Sequence, residues 1–278
     1  MKFGIFVHPK RPKIRVKDIL KVVCSAGLSY SKSEPDVAIV VGGDGTFGYY
    51  GRTLSIPMLF VGVKEHNILG SKARLAEIFY DNLGKALKDI EAGKYRIDEE
   101  RMLSVNCNGN KSDILTDVYV ERGIFAGCLR YAISVENKKR LKHSASKACF
   151  IDYAIGNGVI VSTPFGSAGY YSYPDRIKVD SRGNRRINRF GINRIGICHI
   201  LPLFLVREKN GRKQMTHRAC YTVSSQSIIK ITLKRDVNAR LYGTTNSSKG
   251  IAIGITDEVI ITQSNKTARI IRLKSSYR

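Results

Sequence analysis

Acid is scarce in this 278-residue chain: 23 Asp and Glu stand against 47 Lys and Arg, a formal charge of +24. That balance favours anionic partners such as nucleotides, polyphosphates, nucleic acid or acidic membrane surfaces, and does not choose among them. No apolar run approaches the roughly eighteen residues of a membrane span. The apolar stretch after Met1 is also too short for a signal peptide before basic residues intervene. The expectation is a cytoplasmic protein with no membrane partner. Cys24, Cys107, Cys128, Cys149, Cys198 and Cys220 form no C-x-x-C pair and have no His at zinc-finger spacing, which predicts reduced, mostly packed thiols and no metal site of the protein's own. With seven prolines and no low-complexity tract, nothing forces disorder. The length supports a sizeable core and is read here as two domains.

What is present begins with alternating strands and helices. Residues 3–7 read as a strand, and Ile14, Ile19, Val22, Val23, Ala26 and Leu28 recur with roughly helical spacing. A second strand covers 37–41, a short helix 45–54 and a third strand 58–63. Ser71 can cap a longer helix whose stripe is Leu75, Ile78, Phe79, Leu83, Ala86, Leu87 and Ile90, ended by Gly93. This predicts a parallel sheet with packed helices. Near Tyr95 the texture changes to short apolar stretches between turns at Asn108-Gly109, Gly183-Asn184 and Asn210-Gly211. Strand candidates are residues 102–106, 114–120, 131–135, 159–162, 195–200, 228–233, 259–262 and 270–273. The fold class is therefore an N-terminal α/β domain with a parallel sheet, residues 1–100, and a mainly β C-terminal domain, residues 101–278. The last residues either stay in the second domain or return to the first.

The organising stretch is Val37-Ala38-Ile39-Val40-Val41-Gly42-Gly43-Asp44-Gly45-Thr46, an interior strand that runs into a glycine turn with one carboxylate. In open α/β sheets ligands sit at the carboxyl ends of the strands. Glycines let backbone N–H groups approach phosphate oxygens, and the following helix presents its positive end there. Read as a site, Asp44 stands beside that phosphate; read as plain structure, it caps the next helix. Residues 158–170 repeat the pattern, an apolar strand opening into a turn rich in small and hydroxyl residues. Three basic segments stand out, 138–142, 176–194 and 207–218; the middle one reads as a solvated insertion rather than a nucleic-acid surface, since Phe190 alone is a poor stacking platform. His8 could sit near donor phosphates, whereas His66 and His199 read as loop or strand-end residues with no partner spacing. Arg52, Lys64 and Lys72 read as solvated.

Taken in order, these motifs resemble the NAD kinase family, as an archaeal-type or divergent member. Gly42 to Thr46 matches the family's G-G-D-G-T, and Glu100-Arg101-Met102-Leu103 looks like its E-R-x-L stretch. Thr116-Asp117 falls where the family has Asn and an acid, Gly156-Asn157-Gly158 where it has Gly-Asp-Gly, and residues 163–170 resemble T-P-T-G-S-T-A-Y. The resemblance implies two domains with the active site between them, and phosphoryl transfer from ATP or polyphosphate to the 2′-hydroxyl of the adenosine ribose of NAD. Asp44 would orient or deprotonate that hydroxyl. Gly43, Gly45 and Thr46 would cradle the phosphates, with Mg²⁺ carried on the ATP phosphates. Thr116 and Asp117 would hold the adenine or its ribose, and Asn157, Thr163, Phe165, Ser167, Ala168 and Tyr170 would line the dinucleotide pocket. A homo-oligomer, dimer or tetramer, is implied too, and nucleic acid is disfavoured as a partner.

Phe165 and Ala168 replace two threonines, Asn157 an aspartate and Thr116 an asparagine, while Tyr242-Gly243 stands where many members have Asp-Gly. Each change alters a polar contact to NAD without touching Asp44. An aromatic at Phe165 could instead stack on a base. Two other readings stay open. Diacylglycerol- and sphingoid-type lipid kinases also carry G-G-D-G-T, although residues 163–170 argue against them. A non-catalytic relative that binds a dinucleotide or nucleic acid would explain the altered pocket.

Overall fold

The structure, a computed structural model, describes residues 1–10, 12–64, 73–124, 127–137, 148–172, 189–235, 239–245 and 249–274. The chain divides into two compact units, Met1–Glu100 with Thr267–Arg278, and Arg101–Lys266.

The first unit runs β1 (Lys2–Val7), α1 (Val16–Ser25), β2 (Ser29–Tyr30), β3 (Val37–Gly42), α2 (Asp44–Thr53), β4 (Met58–Gly62), β5 (Ile78–Phe79) and α3 (Leu83–Glu91). Its strands are parallel in the order β2-β1-β3-β4-β5, with Ile39 of β3 between Ile5 and Leu59. Every residue of β3 and β4 is buried, because a parallel strand covered on both faces has no polar side to show. Ile19 and Val23 of α1, and Leu83, Ala86, Leu87 and Ile90 of α3, give each helix one apolar stripe toward the sheet. Phe47 fastens α2 to the sheet by stacking on Phe60, with ring centroids 4.6 Å apart.

The stripe that predicts one long helix from Ser71 is split. Residues 71 and 72 lie outside the described residues, residues 78 and 79 form β5, and α3 begins at Leu83. The edge of β4 accounts for this. Glu77 N–H donates to Phe60 O at 2.8 Å, and Ile78 and Phe79 pair with Val61 and Gly62. Sheet pairing there overrides a helical spacing that is apolar at both periods.

Two strands pass between the units: β6 (Tyr95–Cys107) and the last strand, β19 (Glu258–Leu273). Between them the second unit runs β7 (Asn110–Ile114), β8 (Asp117–Arg122), β9 (Leu129–Asn137), β10 (Phe150–Gly156), β11 (Gly158–Ser162), β12 (Arg194–Ile200), β13 (Phe204–Lys209) and β14 (Arg212–Met215). It continues through β15 (Cys220–Ser224), β16 (Ser227–Leu233), β17 (Ala239–Tyr242) and β18 (Ile251–Ile253), with no α-helix among the described residues. One antiparallel sheet has the order β15-β12-β11-β8-β17-β18 and the other β14-β13-β10-β9-β16-β19. Their inner faces share one core, to which Val118, Val159 and Ile197 contribute from one side and Ile133, Ile231 and Ile261 from the other. Past Lys266, β19 belongs to the first unit, where Ile270 pairs parallel with Met58.

Several strands differ from expectation. The candidate at 114–120 is broken between β7 and β8 at Leu115 and Thr116, and the candidates at 259–262 and 270–273 are one strand bridged by polar residues. β10, β13, β14, β15, β17 and β18 carry too few alternating apolar residues to stand out. The basic segment 207–218 is largely the β13–β14 hairpin, closed by Asn210 at φ 53°. Charge there sets exposure, not backbone conformation. The turn at Gly183-Asn184 and the basic segment 138–142 lie outside the described residues, as does most of 176–194. The cysteine expectation also fails at one pair. Cys198 and Cys220 face each other on β12 and β15, Cα atoms 4.1 Å apart, and are joined by a disulfide. Cross-strand register brought them together, which a spacing of 22 residues does not reveal. Among the described residues no helix is long and apolar enough to cross a membrane.

Candidate functional site

In the first unit β3 delivers the chain to Gly43, which is extended (φ −112°, ψ −177°), and α2 starts at Asp44. Thr46 N–H and Phe47 N–H donate to Gly43 O at 2.9 and 3.1 Å, closing the first helical turn. The N–H groups ahead of Thr46, those of Asp44 and Gly45, have no intrahelical acceptor, so this end of α2 is electropositive. Gly45 is exposed, and a Cβ built on it meets no atom within 4 Å, so backbone at this turn is open to an incoming group. Thr46 is buried and packs against Gly42, where a Cβ would lie 2.6 Å from Thr46 Oγ1. Thr46 therefore shapes the turn from within.

Asp44 is not a helix cap. Gly43 holds that position, and no side chain caps α2. Asp44 Oδ1 instead accepts Leu75 N–H at 2.9 Å, a contact spanning 31 residues, which fixes the half-buried carboxylate beside the helix end. Its other oxygen accepts no hydrogen bond from a described residue. Of the remaining candidates here, His8 Nδ1 accepts Lys10 N–H at 3.2 Å within its own turn, and Lys64 lies 3.8 Å from Asp81 and over the Phe79 ring. The Arg52 guanidinium lies 5.6 Å from the Tyr49 ring centroid. His66 and Lys72 fall outside the described residues. Glu100 of the E-R-x-L stretch accepts from Arg272 Nη2 at 3.4 Å, and the same guanidinium reaches Glu77 and Asp98 at 3.0 and 3.2 Å. Met102 and Leu103 are buried.

In the second unit β11 opens into a compact loop on the outer face of the six-stranded sheet. The loop turns on Thr163, whose hydroxyl donates to Leu115 O at 2.6 Å, lies 3.0 Å from Thr116 O and accepts Gly166 N–H at 2.9 Å. Thr116 O also accepts Thr163 N–H at 2.9 Å. A Cβ on Gly166 would stand 2.3 Å from Thr116 O, so this close crossing of two backbones requires glycine. Ser167 Oγ donates to Pro164 O at 2.6 Å, and Ser167 and Ala168 are buried. The hydroxyls of Thr163 and Ser167 thus brace the loop itself. Thr163→Val is expected to cost about 1–3 kcal/mol of stability, because it strands Gly166 N–H and Leu115 O, whereas Thr163→Ser keeps the bonds. Urea unfolding of both variants checks this, and wild-type stability in Thr163→Val would contradict it.

The half-buried side chains of this region are Thr116, Asp117, Asn157, Phe165 and Tyr170. Asp117 Oδ2 lies 3.4 Å from Tyr171 N. The Asn157 backbone bridges Ile200 O and Arg122 N at 2.9 and 3.1 Å. Tyr170 OH donates to Glu121, and its ring meets the edge of Tyr119, which stacks on Tyr242. Glu121 and Tyr119 carried no motif in the sequence, although their alternation with Asp117 along β8 places all three on one face.

His199 sits near the end of β12, as a strand-end residue, and is fully buried with partners that no spacing announced: Nδ1 lies 2.8 Å from Tyr131 OH and Nε2 3.4 Å from Asp152. Its partners lie 68 and 47 residues away in sequence, beyond any local spacing rule. Among the described residues no group of three His, Cys, Asp or Glu side chains could hold a metal.

No family model matches the chain. Among curated proteins it is 28% identical over 255 residues to the NAD kinase of Caldanaerobacter subterraneus subsp. tengcongensis, covering 89% of this chain and 76% of that protein. It is 31% identical over 158 residues to the NAD kinase of Thermoplasma acidophilum, covering 55% of this chain and 50% of the relative. Among solved structures, an NAD kinase from Archaeoglobus fulgidus in complex with ATP superposes with a TM-score of 0.63 at 17% identity, covering 100% of this chain and 96% of that one. Yeast NADH kinase complexed with NADH gives the same TM-score at 15% identity, covering 99% and 83%. The likeness to these two structures shows that the chain shares their fold. The chain is thus similar in sequence to curated NAD kinases and in fold to an NAD kinase and an NADH kinase.

Proposed function

We propose that this protein is an NAD kinase, transferring the γ-phosphoryl group of ATP to the 2′-hydroxyl of the adenosine ribose of NAD to give NADP. The observation that carries the reading is Asp44 at the first turn of α2, held by Leu75 N–H on one oxygen and offering the other to an acceptor hydroxyl. Phosphoryl transfer asks a protein chiefly for position and charge. Asp44 orients the hydroxyl and takes up its proton as the oxygen attacks. The free N–H groups around Gly43 and Gly45 receive phosphate oxygens at the positive end of α2, and Thr46 holds that turn in shape. Mg²⁺, bound through the ATP phosphates rather than a protein cluster, supplies charge neutralisation. In the second unit, Asp117 and Thr116 take the adenine or its ribose. Asn157, Phe165, Ala168 and Tyr170 form the dinucleotide pocket, on a loop that Thr163 and Ser167 keep rigid.

The reading extends to polyphosphate as a second donor, to a homo-oligomer and to the cytoplasm as the place of action. The deciding experiment measures NADP formation with ATP and with polyphosphate side by side, each with and without Mg²⁺. Formation from either donor, lost on chelation, is the expected result. No NADP from any donor would overturn the proposal, and NAD binding without turnover would identify a dinucleotide-binding relative.

A further inference from the structure

The outer face of the six-stranded sheet carries a small apolar cluster of its own, Ile160, Tyr171, Cys198 and Ile200, with Tyr119 and Tyr170 packed against it. Odd-numbered residues of β8 point to this face and even-numbered ones, Val118 and Val120, to the core. Asp117, Tyr119 and Glu121 therefore stand in a row. Register sets Tyr242 of β17 opposite Tyr119, and the two rings lie 5.1 Å apart at an interplanar angle of 19°. Tyr119 in turn meets Tyr170 edge to face at 5.0 Å. The end of the row is polar: Tyr170 OH donates to Glu121 Oε1. Tyr242 occupies a position where the family often has an acid, so stacking here stands in place of a charge.

We propose that Glu121 is a positioning residue for the acceptor pocket: its carboxylate fixes the Tyr170 ring against Tyr119 and Tyr242, and so sets the affinity for the dinucleotide. The inference rests on the reading of this loop as the NAD pocket. An edge-to-face ring pair lets the Tyr170 ring pivot more readily than one whose hydroxyl is tied, and Glu121 ties that hydroxyl. A phenol bonded to an ionised carboxylate makes one of the stronger kinds of hydrogen bond. Burial, and after it this bond, push the Tyr170 phenol well above its usual range, and burial with Asp117 and Glu121 nearby raises Tyr119 to about 12. Glu121 acts through Tyr170 and touches no reacting atom.

The test pairs Glu121→Ala with Tyr170→Phe, singly and together, with Glu121→Gln as the conservative control. Calorimetric NAD binding without ATP should weaken about tenfold in each single variant. The double variant should bind no worse than the singles, and Glu121→Gln should recover most of the loss. In turnover the NAD KM should rise while kcat moves less than twofold. Ultraviolet titration of the phenols, which needs no ligand, should show one tyrosine titrating at lower pH in Glu121→Gln than in wild type. An unchanged NAD affinity in Glu121→Ala, with wild type binding normally, would overturn the positioning role alone. So would losses that multiply in the double variant, since Glu121 would then act independently of Tyr170. Absence of NAD binding by the wild type would overturn the kinase reading and this role with it.

Discussion

Asp44→Asn is expected to lower kcat for NADP formation by about 10²–10⁴-fold, with the KM values for NAD and ATP little changed. Asparagine is close to isosteric with aspartate, and its Oδ1 can still accept Leu75 N–H, so the turn at the head of α2 keeps its geometry. What changes is the second atom. On the proposed reading Asp44 offers an acceptor to the ribose hydroxyl, whereas Asn offers an N–H donor that can neither align the hydroxyl lone pair toward phosphorus nor receive its proton. Asp44→Ala should lose as much activity and also stability, because Leu75 N–H then has no acceptor there. Steady-state kinetics with a coupled NADP assay and thermal unfolding of the same samples separate the two effects. Wild-type turnover in Asp44→Asn would remove Asp44 from the chemistry.

The candidate site of the first unit was legible because it is local. A β-branched run, two glycines and an acid within ten residues dictate strand, turn and helix start, and each is in place. Leu75, which aims the carboxylate, was invisible because a backbone N–H carries no side-chain signature and comes from 31 residues away. The candidate loop of the second unit was legible as a motif but not as geometry. The resemblance implies that Thr163 and Ser167 line the pocket, yet their hydroxyls satisfy backbone carbonyls, those of Leu115 and Pro164. Hydroxyl residues in tight turns serve the backbone first, and only neighbouring chains show whether they are spent. The long helix from Ser71 failed for a related reason: residues 78 and 79 suit either period, and the open edge of β4 decides between them. In the β unit, strands with a charged outer row, such as Arg212–Met215, hide from an apolar pattern while their backbones pair. Asp152, His199 and Cys198 with Cys220 are register effects. Their partners are set by which strands adjoin, and topology of that kind is not written in composition or spacing.

Arg207→Met should be the most destabilising single change in the second unit, at about 3–5 kcal/mol. Arg207 stands directly opposite Asp152 across β13 and β10, and its Nε and Nη2 donate to Oδ1 and Oδ2 at 2.7 and 2.8 Å. Asp152 is fully buried, and Oδ2 also accepts Tyr221 OH from β15 at 2.6 Å, with His199 Nε2 of β12 at 3.4 Å. Tyr131 of β9 joins His199 to Gly158 O at the start of β11, so one polar cluster ties both sheets to the strand that leads into the Thr163 loop. The guanidinium lies between the Phe150 and Tyr221 rings, 4.1 and 4.4 Å from their centroids, which methionine can fill without replacing the charge. The variant then leaves a buried carboxylate without its cation, the costly case for ion pairs inside proteins. The acid limb gives an independent check. Burial alone would raise the Asp152 carboxyl, but hydrogen bonds from Arg207, His199 and Tyr221 outweigh it and hold the group at about 2, against 3.8 ordinarily. A folded-state value below the unfolded one stabilises at pH above the ordinary value. That contribution, on the order of 2 kcal/mol, is lost as pH falls from about 4 toward 2. In Arg207→Met the carboxyl should rise instead, flattening or reversing that acid limb, and Asp152→Asn combined with Arg207→Met should recover part of the lost stability. Urea unfolding of the wild type and both variants from neutral pH to pH 2 measures all three effects. An unchanged midpoint in Arg207→Met, with the same acid dependence as wild type, would show that the pair contributes nothing beyond its burial.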